Sequence, residues 1–185
     1  MKRLINQLIS HLVLARCEGT KSVTSEIKRY FCDRYESFVA IEVICSNHPR
    51  EYLLDIIVTN FSLTNLNRDD PRILLAIESE LGGSGGGSQK SLQENVVYDF
   101  MKLLLVKSNQ KLLIFTSFAY EDEKDHVRNR VNELYLLYKK FCQNPEIVYV
   151  IHLEGRKDKN QVSILPISAS GVSVYRMSPA DCSEI

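Results

Sequence analysis

The 185-residue chain has no tryptophan, only five prolines, and no excess of either charge. Lysine plus arginine number 23, as do aspartate plus glutamate. A net charge of zero provides no global basic field, so any nucleic-acid contact must come from a local patch. The five cysteines, at 17, 32, 45, 142 and 182, contain no CxxC pair. Their odd number and irregular spacing point away from a zinc motif and from a disulfide framework. Buried, reduced thiols in a cytoplasmic protein are expected instead. No apolar run approaches the roughly 18 residues of a membrane span. The first helix carries Lys2, Arg3, Gln7 and His11 and lacks the form of a signal peptide. No internal repeat is present. GxSxG is absent, and the histidines at 11, 48, 126 and 152 stand near no obvious nucleophile, which disfavours a nucleophilic hydrolase. Cys45 and His48 flank a turn.

What is present suits one domain spanning 1–185, with a substantial core. Ile5, Leu8, Ile9, Leu12 and Val13 recur with helical spacing, which predicts a helix over 2–16. A second helix is expected from a cap at Ser22 or Thr24 to about Tyr35. Strands are predicted at 38–44, 52–61 and 73–80, forming an antiparallel meander. A helix over 91–107, a strand over 111–118, a helix over 122–142 and strands over 146–153 and 161–168 follow. The order α-α-β-β-β-α-β-α-β-β predicts an α/β protein whose mixed sheet carries helices on both faces. Five glycines fall within 82–87. "GGSGGGSQK" contains no GK[ST], so 82–88 reads as a flexible loop rather than a phosphate cradle.

Three acids occupy unusual places. Asp55 interrupts the apolar run "YLLDIIV", and burying an unpaired carboxylate is costly. Glu78 and Glu80, in "AIESE", are two apart and point to one face of a strand. A meander places Asp55 on the neighbouring strand, so the three can gather at one end of the sheet. A hard cation would offset their repulsion, and Mg²⁺ takes oxygen ligands of this kind. Downstream, Asp99 and Lys102 are i, i+3 neighbours in "YDFMKLL". The pair is either a surface ion pair or a device that places Lys102 over the carboxylates.

At these residues the chain resembles the PD-(D/E)XK nuclease superfamily, with its restriction-endonuclease-like fold. The resemblance covers about residues 22–152. "LLDII" supplies the acid of the second core strand, and Glu78-Ser79-Glu80 stands where (D/E)-x-K belongs. Leu54 replaces the proline before the acid, and Glu80 replaces the lysine. The variant is therefore E-x-E, and Lys102 on the following helix matches members whose lysine has moved there. The resemblance implies a metal-dependent endodeoxyribonuclease. Asp55, Glu78 and Glu80 would be ligands of Mg²⁺ or Mn²⁺, and Glu80 or Lys102 would position the attacking water. Glu26 would be an extra acid. DNA would be the partner, and a homodimer would suit a double-strand cut. Arg128, Asn132 and Lys139 on the fourth helix, with Arg156, Lys157 and Lys159 on the turn "GRKDKN", are candidate phosphate contacts. The alternative is a catalytically inactive copy of the same fold that binds nucleic acid or protein. The lysine-to-glutamate change and the zero net charge favour that alternative.

Overall fold

The computed structural model of the chain describes residues 1–17, 19–38, 40–46, 53–62, 70–82, 89–119, 123–142, 146–158, 161–164 and 166–185. Helices α1 (Lys2–Ala15) and α2 (Thr20–Tyr35) precede strands β1 (Glu42–Cys45), β2 (Ile56–Thr59) and β3 (Ile73–Glu80). Then α3 (Gln89–Leu105), β4 (Gln110–Ser117), α4 (His126–Phe141) and β5 (Val148–Asp158) alternate. Strands β6 (Gln161–Ile164), β7 (Val172–Met177) and β8 (Cys182–Glu184) follow, with a short 3-10 turn at Ala169–Gly171.

Leu4, Ile5, Leu8 and Leu12 make the buried stripe of α1, and Val23, Ile27 and Phe31 that of α2. The entry to α2 differs from expectation. Gly19, with φ 80°, is the cap residue, and Thr24 lies inside the helix, donating to the Thr20 carbonyl at 3.0 Å. Glycine meets no steric cost at this left-handed φ.

The sheet is ordered β1-β2-β3-β4-β5-β7-β8, with β6 paired to β5 off this path. β1, β2 and β3 form the expected antiparallel meander. β3, β4 and β5 run parallel, each pair bridged by a helix. β4 is buried from Lys111 to Ser117, as an inner strand covered on both faces must be. One core layer joins α1 and α2 to Ile56, Ile77, Leu112 and Ile114; the other joins α3 and α4 to Ala76, Leu113, Phe115 and Val150. The protein is thus α/β, with a mixed sheet flanked by helices on both faces. β7 and β8 lie beyond the expected elements, although "VSVYRM" alternates like a half-buried strand. β5 runs to Asp158, so Arg156 and Lys157 belong to a strand rather than a turn. β6 ends at Ile164, short of the expected 168.

Among the described residues no cysteine forms a disulfide, but only Cys17 is buried; Cys32 is exposed and the other three are half-buried. Among the described residues no helix is long and apolar enough to cross a membrane.

Register sets the site. Glu78 pairs with Leu113, and Glu80 with Phe115. Leu113 and Phe115 face α3 and α4, so both glutamates face that side too. They lie at the carboxy-terminal ends of the parallel strands, where open α/β sheets commonly carry their ligands.

Candidate active site

Asp55 sits just before β2, whose ladder with β3 ends at Ile56 and Ile77. It is therefore at the end of the strand rather than in its middle, and it is half-buried. Its carboxylate replaces the lost ladder partner. Asp55 Oδ2 accepts from the Ser79 backbone N–H at 2.9 Å and from Ser79 Oγ at 2.7 Å. Oδ1 accepts from Ser46 Oγ at 3.3 Å. Lys28 Nζ donates to the Ser46 carbonyl at 2.5 Å, tying this corner to α2.

Glu78 is the most enclosed of the acids, with 1% of its side chain exposed. Lys102 Nζ lies 2.6 Å from Glu78 Oε1 and 2.8 Å from Asp99 Oδ1. The Lys102 ammonium is thus the close polar neighbour of the buried Glu78 Oε1. Lys102 arrives from near the end of α3. A helical side chain leans back toward the helix N-terminus, here toward the carboxylates. The Tyr98 ring, one turn earlier, stands 5.5 Å from Nζ. Glu80 Oε1 accepts from the Gly82 N–H at 2.9 Å.

The electrostatics follow from burial. Desolvation pushes the Glu78 carboxyl up to about 8, with Lys102 pulling the other way. Desolvation also raises Glu80 and Asp99. For Lys102, burial alone would lower the ammonium, but Asp99 and Glu78 together raise it, so it stays charged. The structure therefore brings together Asp55, Glu78, Glu80, Asp99 and Lys102: Glu78, Glu80 and Asp99 all feel the charges of Asp55 and Lys102. Among the described residues, no three of these carboxylates bring ligand atoms as close together as a metal ion requires, and the Lys102 ammonium stands beside Glu78 Oε1.

Other expected residues fall elsewhere. Glu26 Oε2 pairs with His11 Nε2 at 3.0 Å and Arg29 Nη2 at 2.5 Å, so it belongs to the α1–α2 contact and not to the cluster. Arg128 and Lys139 are both exposed on α4 but occupy opposite ends, about 16 Å apart at 1.5 Å per residue. Arg128 is near the start of α4, where its charge is felt by Tyr175 on β7, whereas Lys139 Nζ lies over the Tyr135 ring at 4.9 Å. Arg156 is exposed on β5, beyond the point where β4 stops at Ser117 opposite Glu154. Lys157 lies on the same strand, while Lys159 and His48 fall outside the described residues.

One histidine does have a hydroxyl neighbour. Ser117 Oγ is 2.9 Å from His152 Nε2. Both residues are 1% exposed, so no substrate reaches the pair. Ser46, Ser79 and Lys28 are the residues sequence reasoning missed. The serine between two glutamates was the one local sign. No protein-family model matches the chain, and no curated protein matches it.

Proposed function

We propose that the protein is a Mg²⁺- or Mn²⁺-dependent nuclease that hydrolyses DNA phosphodiester bonds through the cluster of Asp55, Glu78, Glu80 and Lys102. The observation that carries this reading is Lys102 beside Glu78, 2.6 Å away, on the face where Glu80 also points. A lysine delivered by α3 stands close to where a lysine two residues after Glu78 would reach. The reading includes the fold. A meander followed by a helix and a strand parallel to β3 is the connectivity of the restriction-endonuclease-like core.

Asp55 and Glu78 would hold the cation, with Glu80 at the rim. When bound, such an ion supplies positive charge against the phosphoryl oxygens and lowers the pKa of water. Lys102 is held charged chiefly by Asp99, so it would serve as a fixed cation facing the scissile phosphate rather than as a base. Glu80, whose carboxyl is raised by burial, is the better acceptor for the water proton. Ser79 and Ser46 keep Asp55 aimed at the cluster. Arg128, exposed near the start of α4, would offer charge for the DNA backbone.

Metal binding separates this reading from a non-catalytic module. Calorimetry with Mn²⁺ should detect binding that Asp55→Ala and Glu78→Ala each abolish. Cleavage of duplex DNA in Mn²⁺ should vanish in the same variants. A wild-type chain that binds no Mn²⁺ refutes the catalytic reading.

A further inference from the structure

A second group of ligating side chains lies on the same face of the sheet, two strands away from β3. His126 is the first residue of α4. His152 and Glu154 are two apart on β5, so they point together toward α4. One ligand atom from each of the three residues lies within 4.8 Å of the others. The two imidazole rings are 5.8 Å apart and nearly perpendicular, and His126 Nε2 is 3.8 Å from Glu154 Oε1.

We propose that His126, His152 and Glu154 form a metal site for Zn²⁺ or a similar late first-row divalent cation, distinct from the carboxylate cluster.

Four observations converge on it. First, His126 Nε2 is buried with no hydrogen-bond partner among the described residues, since 3.8 Å to Glu154 is beyond hydrogen-bond reach. A buried ring nitrogen without a partner is costly unless something satisfies it. Second, Ser117 Oγ holds His152 Nε2 at 2.9 Å, the kind of contact that fixes the tautomer and orientation of a ligating imidazole. Third, His152 is 1% exposed, with its ring 5.1 Å from Phe115 and 5.8 Å from His126, so packing holds it beside its neighbours. Fourth, Glu154 is 37% exposed, which leaves a coordination position open to water. Donors on a tetrahedral zinc with 2.0–2.1 Å bonds stand about 3.3 Å apart, and rotation of the surface Glu154 side chain can close the gap.

The donor set decides the metal. Two imidazoles and one carboxylate suit Zn²⁺ and its neighbours, whereas Mg²⁺ takes oxygen. Phe115 separates the two sites. It pairs with Glu80 on one side and His152 on the other, and its ring is 5.1 Å from the His152 ring. Two strand spacings, about 10 Å, therefore divide Glu80 from His152. A cation here would pin the start of α4 to β5 and fix the helix end that presents Arg128.

The test uses the full chain, stripped with chelator and titrated with Zn²⁺ and then with Co²⁺. Calorimetry should find a Zn²⁺ site that excess Mg²⁺ does not displace. Co²⁺ should give strong visible absorption from a low-coordinate nitrogen and oxygen site. His126→Ala and Glu154→Gln should each weaken Zn²⁺ at least about tenfold, while Glu78→Gln leaves it unchanged. Glu154→Gln alters a surface side chain and decides the matter if His126→Ala fails to fold. Absence of Zn²⁺ binding, or binding that survives Glu154→Gln and is lost in Glu78→Gln, would overturn the proposal.

Discussion

Replacing Glu78 by glutamine should make the metal-free protein less sensitive to pH, and the size of the effect follows from burial. In the folded chain desolvation lifts this carboxyl from 4.5 to about 8. At about 1.4 kcal/mol per tenfold change in proton affinity, the displacement corresponds to on the order of 5 kcal/mol. The sign is set by linkage. Between the two values the folded state keeps a proton that the unfolded chain has lost, so stability falls as pH rises. It is fully present below about 4.5 and gone above about 8. Glu78→Gln removes this contribution but keeps the shape of the side chain, and Lys102 retains Asp99 at 2.8 Å. Glu80 and Asp99 are also raised, but they are common to both proteins and cancel in the difference. Urea unfolding in chelator at several pH values from 5 to 8 should therefore show the wild type losing ground to Glu78→Gln by a few kcal/mol. Saturating Mn²⁺ should reverse the order at pH 8, because only the wild type binds the ion well. Parallel pH dependence of the two proteins in chelator would refute the assignment of a buried, proton-holding Glu78.

Other consequences follow from individual contacts. Lys102→Met should lower DNA cleavage in Mn²⁺ by on the order of 10²–10³-fold, with Mn²⁺ affinity preserved; single-turnover rates beside calorimetry check both halves. Gly155 lies where an added Cβ would meet Thr116 Oγ1 at 2.6 Å and the Ser117 carbonyl oxygen at 2.9 Å. Gly155→Ala should therefore destabilise the fold by about 1–3 kcal/mol in urea unfolding. Arg128→Ala should flatten the dependence of log affinity for DNA on log salt by about one unit, whereas Lys139→Ala, at the far end of α4, should leave the slope unchanged. Fluorescence anisotropy over a salt series, in an Asp55→Ala background, measures that difference.

The elements that position the site were readable from local pattern, and its finer wiring was not. "ILLAIESE" carries a continuous apolar run and then two acids with strand spacing, and β3 spans those residues. Asp55 was conspicuous as a carboxylate in an apolar run. Its position at the end of the β2 ladder was hidden, because that depends on where pairing with β3 stops. For the same reason Ser79 looked like a spacer, yet its backbone and hydroxyl hold Asp55. Lys102 was reachable through its i, i+3 relation to Asp99 and the lean of helical side chains. Glu26 was misplaced because a helix face does not reveal which neighbour it meets; His11, on α1, is that neighbour. The gathering of His126 with His152 and Glu154 required the parallel register of β4 and β5 and the landing of α4 upon them. That arrangement is long-range, and the H-x-E spacing at 152–154 was its one local trace. Arg128 and Lys139 share a polar helix face in sequence, but a face says nothing of what stands beside each end.

The most direct test is conversion of supercoiled plasmid to nicked or linear DNA by the purified chain in Mn²⁺, Mg²⁺ and chelator, beside Asp55→Ala and Lys102→Met. The account predicts cleavage by the wild type that needs the metal, disappears with Asp55→Ala and is severely slowed by Lys102→Met. Cleavage that persists at the wild-type rate in both variants, or no cleavage under any metal condition, would contradict it.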